Sequence, residues 1–152
     1  QARINPDDFA AIAWLQANAV SADGQVPTIL EAPGRPFASY IYEGRISAFT
    51  GLPTLLGWPG HENQWRGEYT EPARRYPVIQ TIFGTHNGQE MLDLLHEWDV
   101  DYVILGLTEQ RFLVELCNSP EFVCDPSTAL RKFELFLDPV FEAGQTIIYL
   151  VP

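Results

Sequence analysis

Cysteine, methionine and positive charge are all scarce in this 152-residue chain, which has two cysteines, one methionine, and nine lysines and arginines against 20 aspartates and glutamates. The spacing of Cys117 and Cys124 fits neither a Cys-x-x-Cys redox motif nor a zinc ligand set, so no metal site follows. In an oxidising compartment the two can close a short loop through Asn118-Ser119-Pro120, worth roughly 2.5 kcal/mol on the chain-entropy estimate, and in a reducing one Cys117 is a core residue of a helix. The formal charge of −11 argues against nucleic acid and anionic lipid as partners, because both need clustered Lys and Arg. No run approaches the roughly 20 apolar residues that span a bilayer, and no basic-then-apolar signal segment opens the chain, which reads as soluble. Also missing are the glycine fingerprints of dinucleotide and phosphate-loop sites, a Gly-x-Ser-x-Gly elbow and a His-Glu-x-x-His pair, so no cofactor is implied.

What is present is the composition of a globular domain, 46% hydrophobic and 19% charged. A chain of this length buries roughly 70% of the surface its unfolded form exposes, enough for one real core. The most unusual stretch is Gly44 to Gly67, GRISAFTGLPTLLGWPGHENQWRG, with five glycines, two prolines, two tryptophans and two arginines. Its Gly and Pro residues trace a path foreign to a regular helix, with Thr54 to Trp58 as its only candidate strand. On that path stand groups suited to an anionic or polyhydroxyl ligand. Arg45 and Arg66 are forked donors, Ser47 and Thr50 hydroxyls, His61 and Glu62 an acid/base or hydrogen-bonding pair, and Trp58 and Trp65 stacking planes. The alternative is a long loop packed by its own aromatics, its arginines paired to nearby carboxylates. Charge is unevenly spread, since Gly44 to Arg75 holds four arginines against Glu62, Glu68 and Glu71 while the remainder of the chain is strongly acidic.

The string Ser47-Ala-Phe-Thr-Gly-Leu-Pro-Thr-Leu-Leu-Gly-Trp58, followed by His61-Glu-Asn-Gln-Trp-Arg-Gly67, resembles the signature near the C-terminal end of the Chlor-Arch-YYY family of polytopic membrane proteins. Those proteins in turn resemble GT-C glycosyltransferases, which use lipid-phosphate-linked sugars. The resemblance runs from about Ile29 to Val151 and departs at Gln110, where a Glu-Arg type pair is expected; Arg111 is the nearest substitute. It implies that residues 1–152 form one extracytoplasmic domain, the C-terminal fragment of a larger membrane protein whose helices precede Gln1. The implied partners are its own transmembrane region and a polyprenyl-phosphate-linked sugar. The implied substrate-binding residues are Arg45, Ser47, Thr50, His61, Glu62, Trp65 and Arg66, with no catalytic residue, because the catalytic carboxylate of that superfamily lies between transmembrane helices.

Along the chain, Asn5-Pro6-Asp7-Asp8 starts a helix that runs to about Ala19. Val26 to Ala32 reads as a strand stopped by Pro33-Gly34. Pro77 opens a helix bearing Val78, Ile79, Ile82 and Phe83, although its β-branched residues also suit a strand. Asn87 to Glu90 matches a capping box before Met91, Leu94, Leu95 and Trp98. Tyr102 to Leu105 is a buried strand, Glu109 to Asn118 a helix, and Asp125-Pro126 the start of another. Val140-Phe141 and Thr146 to Val151 form a terminal hairpin. The sum is a single-domain α/β sandwich with a mixed, partly parallel sheet, a parallel centre and a C-terminal β-hairpin.

Three functions compete. The first is a substrate-positioning extracytoplasmic domain of a GT-C-like glycosyltransferase, not catalytic alone, with Arg45, His61, Glu62, Trp65 and Arg66 on one partly exposed face. The second is a non-catalytic interaction module docking on its own transmembrane region. The third is a free-standing hydrolase using Glu62 and His61, disfavoured because side chains adjacent in sequence usually diverge.

Overall fold

A computed structural model of the chain describes residues 5–19, 26–33, 45–55 and 70–152. Helix α1 spans Pro6–Asn18, with the Asn5 side chain accepting from the Asp7 amide at 2.7 Å and Pro at the first turn. After β1 (Ile29–Leu30) comes a short helix α2 (Arg45–Thr50), which the reading of Gly44 to Gly67 as non-helical did not foresee. Its N-terminal amides, those of Ile46 and Ser47, are capped by the carboxylate of Glu31 at 3.1 and 2.8 Å. It ends at Gly51, whose φ of 78° needs a residue without a side chain. Beyond it, Thr54 makes a single parallel bridge to Ile29; the rest of the candidate strand to Trp58 lies outside the described residues.

Helix α3 covers Thr70–Gly84 and carries Pro77 in its interior, instead of starting there. Pro77 cannot donate to the carbonyl four residues back, but it is exposed, whereas Ile79, Ile82 and Phe83 on the same helix are fully buried. Core burial outweighs one lost hydrogen bond. Helix α4 (Gly88–Glu97) is capped by Asn87 Oδ1, which accepts from Gln89 and Glu90 amides. It ends with Asp99 at φ 56°, where the Asp99 amide donates to His96 O and the Val100 amide to Leu95 O, the two bonds of a Schellman stop. Strand β2 (Tyr102–Leu105), helix α5 (Leu107–Cys117) and helix α6 (Pro126–Phe136, capped by Asp125) follow. The hairpin of β3 (Asp138–Ala143) and β4 (Thr146–Leu150) turns through Gly144 at φ 57°, where any Cβ would also collide with the Asp7 carboxylate. A disulfide joins Cys117, at the end of α5, to Cys124, just before α6.

The sheet order is β1-β2-β4-β3, with β1–β2 parallel and the other pairs antiparallel. The parallel pair therefore lies at one side and the central pair is antiparallel, which corrects the expected parallel centre. The last strand enters between β2 and its own hairpin partner, and the βα alternation read from the sequence could not place it there. Side chains alternate across the sheet. Ile29, Tyr102, Ile104 and Ile148 meet α1 through Ala11, Ile12 and Leu15. Leu30, Val103, Leu105 and Tyr149 meet the other layer, built from Ile79, Ile82, Phe83, Met91, Leu95, Leu113 and Phe133. The result is an α/β fold with helices on both faces of a mixed sheet.

Candidate functional site

The described part of the Gly44–Gly67 stretch is anchored by a buried charge cluster. Arg45, first residue of α2, is only 2% exposed and reaches carboxylates from three other elements. Its Nε and one terminal nitrogen bind Asp8 of α1 at 2.9 and 3.2 Å. The terminal nitrogens also grip Glu109 of α5 at 2.7 and 3.0 Å, and one of them reaches Glu31, just past β1, at 3.1 Å. A guanidinium has five N–H donors, and these contacts engage all of them.

Each carboxylate is held on its other side as well. Asp8 Oδ1 accepts from the Thr146 hydroxyl on β4, and Glu109 accepts from the Gly106 and Ala32 amides at 2.8 and 2.9 Å. Glu31 takes the α2 amides. The cluster thus ties α1, β1, α2, the β2–α5 turn and β4 at one point. Three carboxylates face one guanidinium, so electrostatics favour leaving one of them neutral. Burial pushes Glu31 up to about 7, with the nearby Glu109 adding to the rise and Arg45 and the amides opposing it. Burial works against the Arg45 charge, but Glu109, Glu31 and Asp8 together hold its pKa above the ordinary arginine value.

This arrangement changes the place of three expected site residues. Arg45 is not on an exposed face, and its donors are taken by Asp8, Glu31 and Glu109, because a buried guanidinium must be paired. The Ser47 hydroxyl donates to Leu52 O at 2.7 Å, and that of Thr50 donates to Ile46 O at 2.6 Å while accepting from the Leu52 amide. Both hydroxyls close the turn after α2. His61, Glu62, Trp65 and Arg66 lie outside the described residues. The sequence reading passed over Asp8, Glu31 and Glu109 as partners of Arg45. One signal was available, since Glu31 interrupts the apolar run Val26 to Ala32 and a carboxylate in a buried strand demands a cation. Among the described residues no cluster of His, Cys, Asp and Glu could hold a metal ion, and no helix is long and apolar enough to cross a membrane.

No family model matches the chain, and no curated protein matches it. A solved structure does. The fold is similar to that of the C-terminal globular domain of an oligosaccharyltransferase from Archaeoglobus fulgidus. The likeness covers 99% of this chain and 100% of that one, with a TM-score of 0.56 at 12% sequence identity. At that identity what is shared is the fold.

Proposed function

We propose that this chain is the extracytoplasmic domain of a GT-C-like membrane glycosyltransferase of the Chlor-Arch-YYY type. In this reading it positions a polyprenyl-phosphate-linked sugar without being catalytic alone. The observation that carries the reading is the end-to-end fold likeness to the C-terminal globular domain of an oligosaccharyltransferase, joined to the signature resemblance at Ser47 to Gly67. The Cys117–Cys124 disulfide supports the extracytoplasmic side, because such bonds persist in oxidising compartments. His61, Glu62, Trp65 and Arg66 are the proposed substrate contacts, and Arg45, Ser47 and Thr50 fix α2 at the start of the same stretch.

The second reading, an interaction module docking on its own transmembrane region, is favoured by one observation: the donors of Arg45, Ser47 and Thr50 are spent inside the fold. One comparison separates the two. Under the first reading Arg66→Ala and Trp65→Ala leave the melting temperature of the isolated domain nearly unchanged and lower sugar transfer by the full-length protein in membranes. Strong destabilisation of the isolated domain by both variants favours the packing role. Sugar transfer or hydrolysis by the isolated domain, abolished in Glu62→Gln, would overturn both.

A further inference from the structure

Between α3 and α5 lies a half-enclosed cleft of about 180 Å³, lined by Pro33, Tyr76, Gln80, Arg111, Phe112 and Glu115, with Ser119 and Glu121 also at its wall. Sites for drug-sized ligands run to roughly 300–1,000 Å³, so this one has room for a single small ring. Pro33 follows β1, and Arg111 and Phe112 lie early in the helix that follows β2. The cleft therefore opens near the carboxyl ends of the parallel pair, the edge at which α/β sheets hold ligands.

Two rings shape its apolar wall. Tyr76 and Phe112 stand edge to face, centroids 6.5 Å apart with an interplanar angle of 87°, and Phe112 is fixed from behind by the fully buried Phe83 at 5.3 Å. Aromatic rings held in this way make a rigid apolar wall against which C–H groups can pack. The same cleft is lined by an amide that both donates and accepts (Gln80), a forked donor (Arg111) and acceptors (Glu115 and Glu121). Among the described residues none of these four side chains is engaged in a hydrogen bond or ion pair. The disulfide between Cys117 and Cys124 brackets the segment that carries Ser119 and Glu121.

We propose that this cleft is a carbohydrate subsite for one neutral pyranose ring. An aromatic plane set beside unpaired planar hydrogen-bonding groups suits a ring with an apolar C–H face and vicinal hydroxyls. Two carboxylates against one guanidinium disfavour a phosphate or a sugar acid, and the volume excludes an oligosaccharide. The inference rests on the reading that the parent protein handles sugars and deepens it, naming the class of sugar and a place for it. It also gives a role to Arg111, the nearest substitute at the Gln110 departure from the family resemblance.

The test is a ¹H–¹⁵N NMR titration of this chain with the methyl glycosides of glucose, mannose, galactose and N-acetylglucosamine. Saturable shifts of the Tyr76, Gln80, Phe112 and Glu115 amides are expected, with Kd on the order of 1–10 mM for an isolated monosaccharide. The Gln80→Ala/Glu115→Ala variant removes two hydrogen-bonding partners and should weaken binding about tenfold while leaving the rest of the spectrum in place. Absence of saturable shifts with every glycoside overturns the proposal, as do shifts confined to other residues. So does a short unglycosylated peptide that moves these amides when no sugar does. The parent reading fails separately: full-length protein that transfers sugar while the cleft ignores glycosides refutes only the subsite, whereas a sugar-binding cleft in a parent without transfer activity refutes only the transferase assignment.

Discussion

Replacing Glu31 by Gln tests whether the Arg45 cluster, with three carboxylates to one guanidinium, drives one carboxyl toward neutrality. Glu31 is fully buried, and its pKa rises from the ordinary 4.5 to about 7. The native state therefore holds a proton that the unfolded chain has already released, and stability falls as pH rises through this window. At 1.36 kcal/mol per pH unit, the full cost of ionising Glu31 in place is about 3 kcal/mol, reached a little above pH 7 and constant beyond it. Glutamine keeps the acceptor that faces Arg45 but sets an NH₂ against the Ser47 amide, a loss of about 1 kcal/mol at every pH. Urea unfolding of both proteins, followed by fluorescence of the four tryptophans, should give a difference curve that isolates this group. Wild-type stability minus Glu31→Gln stability should fall by about 3 kcal/mol between pH 4.5 and 7.5 and then level. A flat difference curve, or one that rises, would refute the account of a buried carboxylate forced toward neutrality.

The remaining predictions concern stability. Arg45→Lys keeps the charge but loses the fork that serves Asp8 and Glu109 at once, so it should destabilise by roughly 3–5 kcal/mol in the same unfolding assay; a loss below about 1 kcal/mol would show that the cluster tolerates a point charge. Asp99→Gly relieves a left-handed residue at the end of α4 and should raise stability by about 0.5–1 kcal/mol, visible as a higher urea midpoint at unchanged slope. Paired Cys117→Ser and Cys124→Ser substitutions should cost about 2.5 kcal/mol for so short a loop, measured against the oxidised parent. Lys132, buried against the Phe83 and Ala129 carbonyls, is lowered by desolvation to about 7. Its native form sheds the proton before the unfolded one does, so stability should climb from pH 7 toward 10, and Lys132→Met should abolish that climb.

Elements with a local signature were legible in the sequence. Asn5-Pro6, Asn87 and Asp125-Pro126 carry their caps within three residues of the amides they serve, and Tyr102 to Leu105 announces a buried strand by apolar content alone. The terminal hairpin shows itself through Ala143-Gly144. What escaped depended on partners far along the chain. Helix α2 is capped by Glu31, fifteen and sixteen residues before the amides it receives, and α3 extends through Pro77 because a core assembled elsewhere accepts its inner face. The same limit governs the site. Arg45 reads from the sequence as a forked donor for an anionic ligand or a nearby carboxylate, and nothing local distinguishes a ligand phosphate from three carboxylates 37, 14 and 64 residues away.

The contacts of α1 with the hairpin set the order in which this domain can be made. Asp8 meets the Thr146 hydroxyl and Asp7 the Gln145 amide across 138 residues of sequence, and β4, last of the described strands, is an interior strand of the sheet. Until that strand leaves the ribosome, β2 has an open edge, the face that α1 covers is incomplete, and Arg45 lacks the Asp8 contact that the hairpin steadies. Loop closure of this length comes late and slowly. Nascent chains should stay sensitive to protease until Leu150 has emerged from the ribosome, and a stop codon before Thr146 should yield a species that exposes the β2 edge and aggregates, not a trimmed domain.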